Sequence, residues 1–391
     1  MNKIKKDILQ NNIQLSKKVK KILADTLKDS NKLVFDKSCF FNPLIYTYFS
    51  YFKESESISI EPYLIGFKKQ DNFDALTVKT NKNGIVYLSN IGYLTTPYIN
   101  TEIKVNSKNA IFSVYQKDSK EALKIEVKPI YKIPNSNIEI LLHSNSIIEL
   151  IGNTGKKKIT LRSESDIKKL TPFAEEALEL IKRTNLACFE EITQNLRMII
   201  FFDASYNYNF SALEYNGAVF FNPSKSEKTV IWFVDSLIHE ATHINLNLAL
   251  INFEEYFTID PYQTVFSSPF RKKDFKRGLI HVVHALYVIA KLCLFYDQLI
   301  SKLDCKNKYY NEVLGRLVLN IRFLETGFQE IDYEPFYTKK GLLLLNYFKD
   351  TSFEMSKKRK EILQKYKVPA NSNNHLFSLT DFEKINQLNN S

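Results

Sequence analysis

Cysteine, arginine, histidine and tryptophan are all scarce in this chain of 391 residues. Its four cysteines show neither a CxxC spacing nor a pairing rhythm, which argues against a disulfide scaffold and indicates a reducing compartment. No stretch approaches eighteen uninterrupted apolar residues, so no membrane-spanning helix is expected. The lysine-rich first residues are not followed by the apolar core and cleavage site of a secretory signal. We therefore expect a cytoplasmic protein that makes no membrane contact.

Positive charge is abundant, but only eight of the 54 cationic residues are arginine. The net charge of +11 can attract an acidic partner over long distances. No basic-aromatic motif accompanies the charge, however, so dedicated nucleic-acid binding is not expected. A hydrophobic content of 44% is ample for a core and excludes wholesale disorder. The sequence leaves the oligomeric state open.

The order of strand-like and helical patterns predicts an α+β fold, with a β-rich N-terminal half followed by a mainly helical, metal-binding half. Apolar residues at helical spacing predict an N-terminal helical segment over 1–54, beginning with a docked helix over 3–29. Short apolar runs separated by polar turns such as Asn83-Gly84 predict a mostly antiparallel, β-rich region over 55–165. A mainly helical catalytic domain is expected over 166–366, and a loose polar tail with one short helix over 367–391.

Several local signals predict where individual elements begin. Thr171-Pro172 predicts the start of a helix, because threonine can cap a helix and proline suits its first turn. Ser224-Lys225-Ser226-Glu227 predicts a capping box that opens the next helix. A later helix is expected from Phe275 to about Leu303. Strands are expected over 58–60, 75–78, 85–88, 110–114, 138–142, 198–202 and 218–221.

The run His239-Glu240-Ala241-Thr242-His243 carries the strongest chemical signal. Histidines four residues apart project from one face of a helix, so both imidazoles can bind one ion, and Glu240 can reach the open side of that ion. Four of the six histidines lie between 239 and 284. His281 and His284 fall on the later predicted helix, and either could complete a three-histidine site. The alternative without a metal is a pair of hydrogen-bonded core histidines.

The HExxH run by itself is compatible with two functions. The first is a zinc metallopeptidase, but the extended pattern HExxHxxGxxH fails, because Asn245-Leu246-Asn247-Leu248-Ala249 follows the second histidine. A later glutamate, Glu312 or Glu325, could then supply the third ligand, although neither lies in a recognisable motif. The second is a non-enzymatic, metal-stabilised protein that binds a peptide. A structural zinc has closed coordination, whereas a catalytic metal keeps an open position.

Two further elements follow the HExxH run of Ser236–His243. The first comprises Tyr262 and the run Ser268-Pro269-Phe270-Arg271, and the second is Arg277-Gly278-Leu279-Ile280-His281. Together they make the segment from Trp232 to about Leu294 resemble the 2-oxoglutarate-dependent HExxH-type peptide β-hydroxylases, which modify ribosomally made peptides. The resemblance covers about one sixth of the chain, and the remainder shows no such motif.

The resemblance implies that His239, His243 and His281 bind Fe(II) and that 2-oxoglutarate occupies further coordination positions. Arg271 would bind a carboxylate of this cosubstrate through its planar, forked guanidinium. The implied substrate is a ribosomal precursor peptide hydroxylated at a side-chain β-carbon. Glu240 would be catalytic, either by orienting a ligand or a metal-bound water or as the base of a zinc peptidase. The sequence departs from the family where Val282 replaces a glycine and His284 an aromatic residue, which keeps His284 open as the third ligand.

Overall fold

The computed structural model describes residues 2–26, 36–51, 58–68, 73–108, 111–116, 121–154, 159–204, 209–225, 228–267, 276–369 and 377–388. The fold is mixed α+β, with 57% helix and 16% strand, a β-rich N-terminal half and a helical C-terminal half, as the sequence predicted. The chain divides into two compact units. Unit 1 comprises Met1–Asn12, Pro172–Asn195 and Pro223–Ser391, and unit 2 comprises Ile13–Thr171 and Leu196–Asn222. Because the units interleave in sequence, they do not map one to one onto the four consecutive segments expected.

The described residues form helices and strands with the following bounds. The α-helices are α1 (Asn2–Thr26), α2 (Pro43–Ser50), α3 (Glu61–Leu64), α4 (Ser146–Thr154), α5 (Glu164–Thr184), α6 (Leu186–Asn195), α7 (Val230–Ala249), α8 (Leu279–Ile300), α9 (Tyr310–Gln329), α10 (Leu342–Lys358), α11 (Lys360–Lys365) and α12 (Leu379–Ile385). The strands are β1 (Phe73–Lys79), β2 (Ile85–Leu88), β3 (Gly92–Thr95), β4 (Glu102–Lys108), β5 (Ile111–Gln116), β6 (Leu123–Ile125), β7 (Val127–Pro129), β8 (Tyr131–Lys132), β9 (Glu139–Ile140), β10 (Thr160–Leu161), β11 (Met198–Asp203), β12 (Ala218–Phe221), β13 (Val265–Ser267) and β14 (Lys276–Gly278). Short 3₁₀ turns lie at Lys37–Phe41, Ile65–Phe67, Leu213–Tyr215, Pro223–Lys225, Leu250–Glu255 and Glu334–Phe336.

Unit 2 contains three described sheets. The first has the strand order β1-β4-β5-β6 and the second β2-β3-β7, and both are antiparallel, as expected. The third runs β10-β11-β9-β8, with β12 also paired to β11. Here β11 is parallel to both β9 and β12, so β9 is an exception to the mostly antiparallel pairing predicted for 55–165. The predicted turn at Asn83-Gly84 is confirmed, because Gly84 has a φ of +70° that favours glycine.

Unit 1 is built from long helices that pack side by side. α7 contacts α8, α8 contacts α9, and α10 contacts both α8 and α9. Within this unit the docked N-terminal helix is confirmed, since Asn11 of α1 donates to the Leu248 carbonyl at 2.8 Å. By length and composition α8 could cross a membrane, but 72% of its most apolar window is buried within the protein. A core helix passes the same test, so this is weak evidence for a membrane span.

One predicted helix begins elsewhere, and one predicted strand is not formed among the described residues. The helix expected to start at Thr171-Pro172 begins at Glu164 and contains Pro172 in its interior. The capping signal lies upstream, where the Ser163 hydroxyl accepts a hydrogen bond from the Asp166 amide at 3.2 Å. The strand expected over 58–60 is absent from these described residues, which instead lead into α3. The upstream cap at Ser163 and the approach to α3 determine these two regions more strongly than the residue types do.

The ends of the helical half also differ from expectation. Pro223–Lys225 forms a 3₁₀ turn, Ser226 and Glu227 lie outside the described residues, and α7 begins only at Val230. Its cap is Thr229, whose hydroxyl accepts from the Trp232 amide at 2.9 Å. The short helix predicted near the C-terminus is confirmed as α12, but it is not loose. It contacts α9, and its Phe382 ring is fully buried.

Candidate metal centre

Helix α7 is buried on nearly every side. Seventeen of its twenty residues are buried, and the other three are His239, His243 and Asn247. These three are spaced by four residues, so they form one row along the helix. The HExxH histidines are thus half-buried positions of an otherwise buried helix. We call these three positions the accessible row, because their partial exposure lets them meet an ion or a substrate.

The first turns of α8 carry two more histidines, and one of them contacts His243 of α7. His281 is exposed and His284 half-buried, in a helix whose other positions are mostly buried. The Nδ1 atoms of His243 and His284 lie 3.2 Å apart. The rings of His239 and His243 are 4.9 Å apart between centroids. The structure therefore groups His239, His243 and His284 across two neighbouring helices of one unit.

His281 lies at the start of α8 beside Tyr262, the tyrosine of the segment that resembles the peptide hydroxylases. Its ring centroid lies 6.5 Å from that of Tyr262, with the two rings nearly perpendicular. Tyr262 is 56% exposed. The turn that carries it caps α8, because the Leu279 and Ile280 amides donate to the carbonyls of Thr264 and Pro261.

Gly278 is required by this capping turn. A Cβ at this position would lie 2.8 Å from the Tyr262 carbonyl oxygen and 3.0 Å from that of Pro261. Both distances are shorter than van der Waals contact with backbone atoms that cannot easily move. The glycine of the Arg277-Gly278 pair thus brings the turn onto the start of α8, which accounts physically for one part of the family-like motif.

Of the two arginines in the segment that resembles the peptide hydroxylases, Arg271 and Arg277, the structure describes only Arg277. Arg271 lies outside the described residues, as does the whole segment 268–275 between β13 and β14. Arg277 lies in β14, opposite Phe266 of β13. Partial burial of the His281 ring lowers the pKa of His281, and the nearby Arg277 guanidinium lowers it further. Arg277 is therefore close enough to act electrostatically on the histidine end of α8.

The inner positions of the site are strongly desolvated. Burial lowers the pKa of His284 well below its usual range, and the neighbouring His243 and His281 lower it further. A neutral imidazole keeps a lone pair on one ring nitrogen, which is what binding to a metal requires. Glu240 is 1% exposed and does not belong to the accessible row of α7. The carboxylate expected at the catalytic position is therefore enclosed by protein.

A buried cluster of charged residues lies beside α7, on the side that faces α8 and α9. Arg316 of α9 binds the Glu312 carboxylate at 2.9 Å and lies 3.4 Å from the Asp235 carboxylate. Tyr296 donates to Asp235 at 2.8 Å, and Thr229 donates to Glu312 at 2.9 Å. All three charged residues are at most 4% exposed. This cluster joins the capped start of α7 to α8 and α9.

Sequence reasoning missed both this cluster and the full accessible row. Asp235 precedes His239 by four residues, and Asn247 follows His243 by four. Residues four apart lie next to each other on a helix, so the spacing that links the two histidines also includes Asp235 and Asn247. A single aspartate inside the apolar run Trp232–Ile238 was itself a signal, because a buried carboxylate needs a partner. Thr229 gave no such signal, since its role depends on Glu312, 83 residues later.

The histidines fit a metal ion in donor type but do not form a complete ligand set. Within the described parts of the chain, no three histidine, cysteine, aspartate or glutamate side chains lie close enough together to hold a metal ion. Three neutral imidazoles suit a divalent iron or zinc ion, and His239 and His243 share the row that could face it. The glutamates considered for a peptidase are engaged elsewhere: Glu312 binds Arg316, and Glu325 accepts a hydrogen bond from Ser356.

Fold and site together define a mixed α+β protein with a histidine cluster on two packed helices of its helical half. Comparison of the chain with models of known protein families gave no match. Comparison with curated proteins gave no match either. The functional argument therefore depends on the residues of this chain.

Proposed function

We propose that this protein is an Fe(II)/2-oxoglutarate-dependent oxygenase that hydroxylates a side-chain β-carbon in a ribosomally synthesised peptide. The observation that carries the proposal is the accessible row of His239 and His243, set against the start of α8 and its histidines. The resemblance of 232–294 to HExxH-type peptide β-hydroxylases supplies the reaction. The capping turn supports it further, because it brings Tyr262, Gly278 and His281 of the family-like elements together.

In this proposal, each side chain has a distinct task. His239, His243 and His281 would hold the iron through neutral imidazoles, and binding by His281 would require its ring to leave Tyr262. Arg271 pairs with a carboxylate of 2-oxoglutarate, for which a forked guanidinium is well suited. The buried helices on either side exclude bulk water from the inner face of the site. When bound, iron and its cosubstrate supply the oxidation that the protein side chains cannot perform.

The reaction gives a balance that can be measured. One atom of dioxygen enters the peptide C–H bond as a hydroxyl group, and the other enters succinate as 2-oxoglutarate loses carbon dioxide. Purified protein with Fe(II), ascorbate, 2-oxoglutarate and a candidate ribosomal precursor peptide should add one oxygen to the peptide, as measured by mass spectrometry. The gain should disappear without 2-oxoglutarate, and labelled dioxygen should place its isotope in the peptide.

Matched variants separate the proposal from its alternatives. His243→Ala should abolish hydroxylation, and Arg271→Lys should raise the 2-oxoglutarate concentration needed for half-maximal rate, because lysine cannot form the forked pair. Arg183→Lys is a suitable control, because Arg183 is exposed on α5 and pairs with Glu179. Peptide cleavage in place of oxygen addition would identify a zinc metallopeptidase. An unchanged peptide together with tight peptide binding would identify a non-enzymatic binding protein.

A further inference from the structure

We infer that His284 is a positioning residue for the proposed metal centre: its Nδ1 accepts the Nδ1–H of His243 and thereby directs the Nε2 lone pair of His243 toward the ion. The inference rests on the metal centre proposed above. It gives His284 a role outside the ligand set of His239, His243 and His281. The contact between His243 and His284 carries it.

The two rings meet edge to edge. Their Nδ1 atoms are 3.2 Å apart, their centroids are 5.5 Å apart, and their planes differ by only 18°. A centroid separation of 5.5 Å is close to the largest that a 3.2 Å contact between two five-membered rings permits. The two nitrogens must therefore point at each other, nearly along the line that joins the ring centres. This is the arrangement of an N–H···N hydrogen bond.

The same geometry leaves no room for an ion between these nitrogens. A metal ion bound between two nitrogens that face each other would hold them about 4 Å apart, twice the metal–nitrogen bond length. The observed 3.2 Å is too short for that arrangement. His243 can still bind a metal through Nε2, on the other side of its ring. His284 then acts on the metal only through His243.

Imidazole chemistry gives this contact a direction. A neutral imidazole has one N–H and one lone pair, and a metal takes the lone pair. When Nε2 of His243 binds the ion, its Nδ1 carries the hydrogen and needs an acceptor. His284 Nδ1 is placed to accept, which leaves the hydrogen of His284 on its own Nε2. Such acceptors fix the orientation of metal-binding histidines and raise their basicity.

Two other buried carboxylates near this helix already accept hydrogen bonds. The carboxylate of Asp235 accepts from Tyr296, and that of Glu312 from Arg316 and Thr229. His281 is exposed and lies toward Tyr262, so it remains available as a ligand at the open side. The contact thus separates the two histidines of α8: His284 faces His243, whereas His281 lies beside Tyr262 and is left as the proposed ligand.

Metal titration of three variants tests this assignment. His284→Phe keeps a ring but removes the acceptor, His284→Asn keeps an oxygen near the Nδ1 position, and His281→Ala removes the inferred ligand. Zn²⁺ or Co²⁺ alone is titrated against a chromophoric chelator, and thermal unfolding without metal checks that each variant folds. We expect His284→Phe to weaken binding about 10- to 100-fold, His284→Asn to recover most of the loss, and His281→Ala to lose more than either.

Several outcomes of the titration overturn the assignment. If His284→Phe binds metal as tightly as the original protein, the contact has no influence on the site. If His284→Asn fails as badly as His284→Phe while His281→Ala binds normally, then His284 is itself a ligand. A protein that binds metal but never hydroxylates leaves the inference intact and removes the proposed function. A protein that binds no metal removes both.

Histidine-selective ¹⁵N labelling provides a readout that a merely structural role would not change. In the zinc-loaded protein, long-range ¹H–¹⁵N spectra should show His243 with a protonated Nδ1 and a metal-bound Nε2. His284 should show a protonated Nε2 and an unprotonated Nδ1. The His284→Phe variant assigns the second set of signals by its absence. Metal bound to Nδ1 of His243 would contradict the inference.

Discussion

Glu139 is a buried carboxyl group in the mixed sheet of unit 2, and its protonation is coupled to folding. It lies in β9, is 7% exposed, and accepts a hydrogen bond from Tyr87 at 3.0 Å. Burial raises the pKa of Glu139 to about 7, although the Tyr87 hydrogen bond and Lys132 oppose the rise. The folded protein therefore holds a proton here at pH values where the unfolded chain has lost it.

This raised pKa predicts a pH-dependent stability of known sign. Stability from the retained proton is fully present below the unfolded pKa, near 4.5, and is lost as the pH rises through about 7. The loss amounts to about 3 kcal/mol for a shift of this size. Glu139→Gln should flatten the dependence of the urea midpoint on pH between 5 and 8, because glutamine does not ionise. Glu354→Gln on the exposed face of α10 should leave that dependence unchanged. A midpoint for Glu139→Gln that still falls as the original does would contradict the coupling.

At the scale of elements, the Arg316 cluster determines how α7 is held against its neighbours. Arg316 compensates two buried carboxylates, and burial raises the pKa of Asp235 while the arginine opposes the rise. Thr229 both caps α7 and donates to Glu312, so the start of α7 is fixed to α9. Disturbing the cluster should therefore affect the whole helix rather than one contact.

Arg316→Met should destabilise the protein by about 3–5 kcal/mol, because it leaves two buried carboxylates without a cation. Arg183→Met removes an exposed pair with Glu179 at the same helical spacing and should cost less than about 1 kcal/mol. Urea unfolding of both variants gives the comparison. Adding Glu312→Gln and Asp235→Asn to Arg316→Met should recover part of the loss, since the unpaired charges are then gone. Equal losses in Arg316→Met and Arg183→Met would show that the cluster is not a buried charge network.

The same elements show what the sequence could and could not predict. The spacing of His239 and His243 and the apolar run before them predicted a helix with both histidines on one face, and α7 confirms it. The sequence could not place the start of that helix, because Thr229 caps it with help from a residue far along the chain. The resemblance favoured His281 as the third ligand but left His284 open. In the structure the packing of α7 on α8 sets His284 against His243, while His281 lies beside Tyr262 of the capping turn.

At the scale of the whole molecule, the four clustered histidines all belong to unit 1, whose parts come from three separate stretches of the chain. An ion bound there stabilises only the folded form of this unit, because the unfolded chain does not bring α7 and α8 together. The core of unit 1 consists of long helices whose apolar side chains are buried against one another. Metal binding is therefore expected to add stability to a unit that already folds.

His243→Ala tests whether the metal is catalytic or structural. At a concentration 100 times its dissociation constant, an ion should raise the free energy of unfolding by about 2.7 kcal/mol, and this gain should be absent in His243→Ala. The variant without metal should keep the helical circular dichroism of the original protein, because the row it alters is the accessible side of α7. His143→Ala is the matched control, since His143 lies in unit 2 beside Tyr93 and should keep the full gain. Collapse of the helical signal in His243→Ala would mean that the ion holds the fold together, and the oxygenase proposal would lose its open site.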